Sequence, residues 1–469
     1  MPGGSRARTR AAGAVALVAL AAPLVGAPRG DASTTSITSS ISSASGQAPR
    51  TSFSFRPWIS GDGHFVAFDS DSPSLVPGDT NRARDIFVYD RDNGTLDLIS
   101  KGPGGRQANG DSQRPTLSAD GRYVAYWSAA DNLVDGDTNK VTDCFVTDRQ
   151  THETVRIDVG PNDLQANGEC ARPVISGDGK MVAFESAATN LEKPSVLGKS
   201  TDTNKARDVF VRDLTAGTTT RVSVMSDGKQ GFGESVRPSI SADGRFVGFQ
   251  SDAALVADDT NKKTDVYVHD MGSGETTRIS IGPGGAEGNA GSFSPSLSAD
   301  GHLVAYWSNA SDLVADDGNK TGDVFVFDRN DGTTTRVSVS EDGKEGDGMS
   351  SDPSISPDGR YVTYWSGATN LVPDDTNGKR DIFLIDRQSN TVTRVSVADD
   401  GTQGDGDSFS PNVAGGGGLV AFDSAARTLV ADDHKSKGSD IFLHTEDAPP
   451  PADSSSAGPP PPQGSSQSR

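Results

Sequence analysis

Apolar and polar residues alternate along this chain in short runs, each closed by a cluster of turn-forming residues. Tyr361-Val-Thr-Tyr-Trp-Ser366 and Asp381-Ile-Phe-Leu-Ile-Asp386 are rich in aromatic and β-branched residues, and both predict strands. Ahead of them, Pro353-Ser-Ile-Ser356 predicts a short strand, and Pro357-Asp-Gly359 a turn through a Gly that tolerates positive φ. A loop from Leu371 to Arg380 joins the second strand to the third. After a turn at residues 387–390, Thr391-Val-Thr-Arg-Val-Ser396 predicts a fourth strand.

This unit repeats. The pattern Pro-x-[Ile/Leu/Val]-Ser-x-Asp-Gly has copies starting at Pro57, Pro115, Pro173, Pro238, Pro295, Pro353 and Pro411, in steps of 58, 58, 65, 57, 58 and 58 residues. A fixed period of that size marks a repeat architecture, and four antiparallel strands per unit make a propeller blade. The expected fold is all-β: a seven-bladed β-propeller of four-stranded antiparallel blades over residues 33–446, with blade starts near 56, 114, 172, 237, 294, 352 and 410. The last copy has a third strand, Asp440-Ile-Phe-Leu-His444, and then runs into a Pro-rich tail. The missing strand stands at the other end: Thr38-Ser-Ser-Ile-Ser42, followed by Gly46-Gln47, is similar to Thr334-Thr-Arg-Val-Ser338 followed by Gly343-Lys344. The N-terminal strand is therefore expected to complete the last blade and remove an open edge.

Ser356-Pro-Asp-Gly-Arg-Tyr-Val-Thr-Tyr364 and Asp381-Ile-Phe-Leu-Ile-Asp386 resemble the propeller repeat of TolB and its WD-like relatives, and the resemblance extends over residues 38–446. TolB carries an N-terminal α/β domain ahead of its ring, for which this chain leaves no room. The resemblance thus implies the propeller fold and carries no inference about a Pal-type lipoprotein partner.

Composition limits the function. Net charge is −21, whereas nucleic acid and anionic lipid surfaces call for a basic footprint, so nucleic acid is not expected as a partner and anionic lipid surfaces are disfavoured. Arg6, Arg8 and Arg10 precede an apolar run from Ala11 to Val25 and then small residues. Residues 1–32 read as a cleaved secretory signal, and the mature chain is expected to be extracytoplasmic, without a transmembrane segment, and monomeric. Residues 447–469, rich in Pro, Ser and Gly with almost no apolar residues, read as a disordered tail.

Three features place chemistry on the face that carries the loops between second and third strands and the blade-to-blade loops. The first is a recurrent acidic loop: Asp79, Asn81 and Asp85; Asp137, Asn139 and Asp143; Asp202, Asn204 and Asp208; Asp259, Asn261 and Asp265; Asp317, Asn319 and Asp323; Asp375, Asn377 and Asp381. Oxygen ligands at positions one, three and seven suit weak structural calcium, since hard cations need clustered carboxylate and amide oxygens. An Asx turn that caps the loop backbone accounts for the same residues and is the favoured alternative. No cofactor is required on either account. The seventh copy, Asp433-His-Lys-Ser with Asp440, is degenerate.

The second is an arginine ahead of the Pro in four blades: Arg56, Arg114, Arg172 and Arg237, with Ser294, Asp352 and Ser410 in the others. These positions are expected to ring the mouth of the central channel, where Arg suits a carboxylate or phosphate partner; the alternative is that each bridges to a neighbouring acidic loop. The third is a second-strand position occupied by Asp69, Trp127, Glu185, Gln250, Trp307, Trp365 and Asp423, with the Trp side chains expected between blades.

Catalysis is not expected. The first strand offers the channel Trp58/Ser60, Thr116/Ser118, Val174/Ser176, Ser239/Ser241, Ser296/Ser298, Ser354/Ser356 and Asn412/Ala414, with no converging carboxylate or His, and no Gly-x-Ser-x-Gly elbow is present. Cys144 and Cys170 fall in adjacent structure, as a disulfide or, by a slight margin, as two separate thiols. The expected function is a secreted, non-catalytic binding module or scaffold that recognises a protein or peptide. A lectin-like carbohydrate binder and a rim-site hydrolase or lyase are the alternatives.

Overall fold

In the computed structural model, residues 36–42, 52–193, 202–431 and 438–446 are described; the leader, Gly46-Gln47, residues 194–201, the loop with Asp433 and the tail lie outside them. Strands follow one another in antiparallel hairpins, and blades one to six each take their strands in sequence order, so they are built without crossovers. Blade one comprises Ser54–Ile59, Phe65–Ser70, Asp85–Asp90 and Thr95–Leu98. Blade six, with Ser350–Ile355, Tyr361–Ser366, Asp381–Asp386 and Thr391–Arg394, follows the sequence expectation, except that its first strand begins before the Pro.

The described residues form seven such blades. In blade seven the fourth strand is Ser36–Ser40, antiparallel to Asp440–Glu446, with Ser36 opposite Glu446 and Ser40 opposite Phe442. The ring therefore closes through both ends of the chain. Among the described residues no helix is long and apolar enough to cross a membrane.

Alternation of apolar residues puts one layer on each face of every sheet, and the core lies between blades. Val146 and Cys144 of blade two, for example, meet Val182, Phe184 and Phe210 of blade three. Inside each blade an aromatic pair stacks across strands two and three, from Phe68–Phe87 at 5.8 Å to Phe422–Phe442 at 5.7 Å. Burying each such side chain stabilises the fold by about 1.5–3 kcal/mol.

The Asp-Gly turns hold the blades in register. Ser118 Oγ donates to Asp120 at 2.6 Å, and Gly121, at φ 65°, lies so close to blade one that a Cβ would overlap the Phe65 ring. Only glycine fits both demands. These serines serve the turns on the opposite face from the acidic loops. The channel wall takes only the first member of each expected pair: Trp58, Thr116, Val174, Ser239, Ser296, Ser354 and Asn412.

Candidate functional site

Every first strand is bulged at the residue before its Pro. In blade one Phe55 pairs with Asp69 and Trp58 with Ala67, so Arg56 and Pro57 together face a single residue. The bulge puts Arg56, Arg114, Arg172, Arg237, Ser294, Asp352 and Ser410 at φ between 47 and 55°, the left-handed region. Such a conformation costs a non-glycine residue about 1 kcal/mol or more. None of the seven is glycine or asparagine, which would adopt it most cheaply. All seven line a cavity of about 280 Å³ on the ring axis, together with the seven prolines and the channel-wall residues.

The four arginines are not equivalent. Arg56 reaches Asp69 at 3.5 Å and the Gln113 amide oxygen at 3.2 Å. Arg172 lies 3.5 Å from Glu185. Arg237 donates to Ser294 Oγ at 2.9 Å and reaches Asp352, two blades on, at 3.5 Å. The guanidinium of Arg114 has no hydrogen-bond or ion-pair partner among the described residues. Burial, and then the charges of Arg172, Arg56 and Arg237, push its pKa down to about 9, so it stays charged at neutral pH in surroundings that disfavour the charge.

The second-strand position acquires a role that the sequence did not disclose. Asp69 accepts the Arg114 backbone N–H at 3.1 Å, Glu185 that of Arg237 at 2.8 Å, Gln250 that of Ser294 at 3.0 Å, and Asp423 that of Arg56 at 3.2 Å. Each caps the bulge of the following blade. Carboxylates thus do converge behind the mouth, and Asp352 lies in the cavity wall itself. The expectation of none was drawn from the alternating first-strand positions alone. Burial raises the pKa of Asp69 and pushes Asp423 up to about 6. Trp365 is buried, whereas Trp127 and Trp307 are half-buried. Trp307 packs on Phe293 at 4.5 Å, and Trp365 meets Phe409 edge-on.

In the acidic loops the asparagine makes the Asx turn. Asn81 Oδ1 accepts the Ala83 N–H at 2.9 Å, while its amide donates to Asp85 at 2.7 Å and to the Ala108 carbonyl at 3.0 Å. The same pattern recurs at Asn139, Asn261, Asn319 and Asn377; Asn204 keeps the turn and bonds the Gly231 carbonyl. The second aspartate is buried and takes a serine hydroxyl: Ser100 to Asp85, Ser223 to Asp208, Ser280 to Asp265, Ser338 to Asp323 and Ser396 to Asp381, at 2.5–2.7 Å.

Between the two aspartates of blades two to six stands an arginine from the end of the fourth strand. Arg156 lies 3.3 Å from Asp137 and 3.7 Å from Asp143; Arg221 lies 3.3 Å from Asp208 and 4.0 Å from Asp202. Arg278 lies 3.8 Å from Asp259, Arg336 3.8 Å from Asp317 and 3.9 Å from Asp323, and Arg394 3.3 Å from Asp375. Asp317, Asp323 and Glu345 bring carboxylate oxygens within 4.8 Å of one another, as a cation would require, yet Arg336 already reaches Glu345 at 2.9 Å. Blade one has Leu98 at this position, and there burial pushes Asp85 up to about 6.

The bridging arginines, and the residue 28 positions after each loop's first aspartate (Gln107, Gln165, Gln230, Glu287, Glu345 and Gln403), went unread in the sequence. Gln107 and Glu287 illustrate the second, accepting the Thr80 and Thr260 N–H groups at 3.1 and 2.9 Å.

Blades two to four depart from the rest. Cys144 in the third strand of blade two and Cys170 in the first strand of blade three are joined in a disulfide, with Cα atoms 5.6 Å apart, not left as two thiols. Asp158 replaces the serine and lies fully buried against Asp143, which raises its pKa well above the usual carboxylate range through burial and Asp143's charge. Phe232 is 84% exposed. It stands where Asn109, Asn167, Asn289, Asp347 and Asp405 bond a backbone N–H of the next blade's loop. Of the described histidines, none lines the cavity.

No family model and no curated sequence matches this chain. Solved structures do. An oligogalacturonate lyase in complex with manganese is 13% identical over 89% of this chain and 95% of its own, with a TM-score of 0.54. An acylaminoacyl peptidase in complex with Z-Gly-Gly-Phe-chloromethyl ketone is 11% identical over 85% of this chain and 52% of its own, with a TM-score of 0.50. TolB from Acinetobacter baumannii is 17% identical over 71% of this chain and 64% of its own, with a TM-score of 0.40. At such identities the lyase and peptidase likenesses show the propeller fold and nothing of activity.

Proposed function

We propose that this protein is an extracytoplasmic, non-catalytic binding module that captures an acidic group of a protein or peptide partner at the arginine-lined mouth of its channel. One observation carries this reading: the Arg114 guanidinium, held by a strained bulge among three other arginines and with Asp69 as the nearest opposite charge, makes no ion pair or hydrogen bond of its own among the described residues. A partly desolvated cation in that state gains more from an incoming carboxylate than a surface arginine would. The cavity wall has no histidine, and its one carboxylate, Asp352, is engaged by Arg237. The basic run of Arg6, Arg8 and Arg10 before an apolar segment supports export.

Calorimetric titration with a penta-aspartate peptide tests the reading. The wild type should bind it with an affinity that falls as salt rises, and the Arg114→Ala, Arg172→Ala double variant should not, while its circular dichroism stays unchanged. Equal affinities in the two proteins would remove the arginine mouth as the binding site.

A further inference from the structure

Resting on the binding-module reading above, the geometry points to a narrower role for the mouth. We propose that it takes the C-terminal carboxylate of a partner chain, end-on along the ring axis, with Arg114 as its anion partner. Two observations converge on this.

The mouth is narrow. Arg237 of blade four spans past Ser294 of blade five to reach Asp352 of blade six at 3.5 Å. Arg114 of blade two is close enough to feel the charges of blades one, three and four. The cavity beneath, at about 280 Å³, has the room of about nine water molecules. An internal acidic segment would have to bring two strands of chain through this opening, one entering and one leaving. A chain end brings one.

The charge in the mouth fits a single anionic group. Arg56, Arg172 and Arg237 each already have a carboxylate within 3.5 Å, which leaves Arg114. Across the axis, Asp352 repels a second negative charge and, with Ser294 and Ser410, offers only hydrogen-bonding oxygens. A polyanion would meet that repulsion several times over, whereas a terminal carboxylate preceded by neutral peptide would meet it once, so the latter should bind more tightly.

Trp58 in the cavity wall makes occupancy visible by fluorescence, with calorimetry as the second readout. Three probes are titrated into the full chain: hexaglycine with a free carboxylate, hexaglycine amide, and acetylated penta-aspartate amide. The free acid should bind at least tenfold tighter than its amide. That ratio should collapse to about one in Arg114→Met, whose melting temperature should not fall; if that variant does not fold, Arg114→Gln serves, and the acid-to-amide ratio in the wild type decides regardless. Equal binding of acid and amide, or binding of penta-aspartate amide alone, would overturn end-on recognition and leave the binding-module reading standing. No binding of any probe would overturn both.

Discussion

The ring carries two circles of arginine with opposite electrostatics. In the outer one, Arg156, Arg221, Arg278, Arg336 and Arg394 each lie next to at least one loop aspartate, and their side chains are only 4–10% exposed. Those charges are neutralised, and they hold the loops to their own blades. In the inner circle the same side chain stands on a strained bulge, and the Arg114 guanidinium makes no ion pair, although the Asp69 charge acts on it from a distance. Burial alone therefore does not distinguish a structural arginine from a functional one. What distinguishes them is whether the fold supplies the opposite charge.

The sharpest way to break that comparison is to empty the outer circle. Arg336→Ala leaves Asp317, Asp323 and Glu345 facing one another without a cation, and should lower stability by about 3–5 kcal/mol in denaturant titrations at pH 7. The loss should shrink toward pH 5, because burial and the charge of Asp323 already push Asp317 up to about 6 and protonation removes the repulsion. A loss below about 1 kcal/mol would mean that these arginines are not structural.

Asp158 is the acidic counterpart of Arg114, a buried group without an ion-pair partner. Replacing it with the serine of the other blades should raise stability by about 2 kcal/mol at pH 7. The sign follows from the raised folded pKa: the native state must hold a proton that the unfolded chain releases above about pH 4, so the wild type is penalised as pH rises and not below pH 4. The gain in Asp158→Ser should therefore vanish in acid. Asp85 and Asp265, both at about 6 through burial, subtract stability in the same direction between pH 4 and 6.

Arg114→Met should raise stability by about 1 kcal/mol, since it removes a desolvated charge that repels three neighbours. A loss instead would place Arg114 with the outer circle. The smallest expected effect concerns calcium. Millimolar calcium or a chelator should leave the melting temperature of the wild type unchanged, because a guanidinium already occupies the space between the loop aspartates of five blades. A rise on adding calcium would show that an ion displaces it.

The fold was legible because its determinants are local and repeat. The Pro before the first strand, the Asp-Gly turn and the alternating third strand each act within a few residues, and the period turns weak signals into a ring. The position of Arg56, Arg114, Arg172 and Arg237 at the mouth was legible for the same reason. Whether each was paired was not, because the partners come from elsewhere: Arg56 meets Gln113 in the next blade, and Arg237 meets Asp352 two blades on. The outer arginines were missed because each meets its acidic loop only after the third and fourth strands have folded back. The disulfide depends on the distance between blades two and three, which no spacing in the sequence encodes.

The closing strand has a mechanical consequence. Ser36 and Glu446 are partners at the same end of blade seven, so tension applied to the two ends of the chain pulls that pair apart first and then the next. Load of this kind unzips a sheet one rung at a time, whereas load along the strands would shear all the rungs together. The clasp that seals the ring against heat and denaturant is thus its weakest point under traction. A protein tethered by both ends would open at blade seven while the other six blades, and the arginine mouth they carry, were still folded.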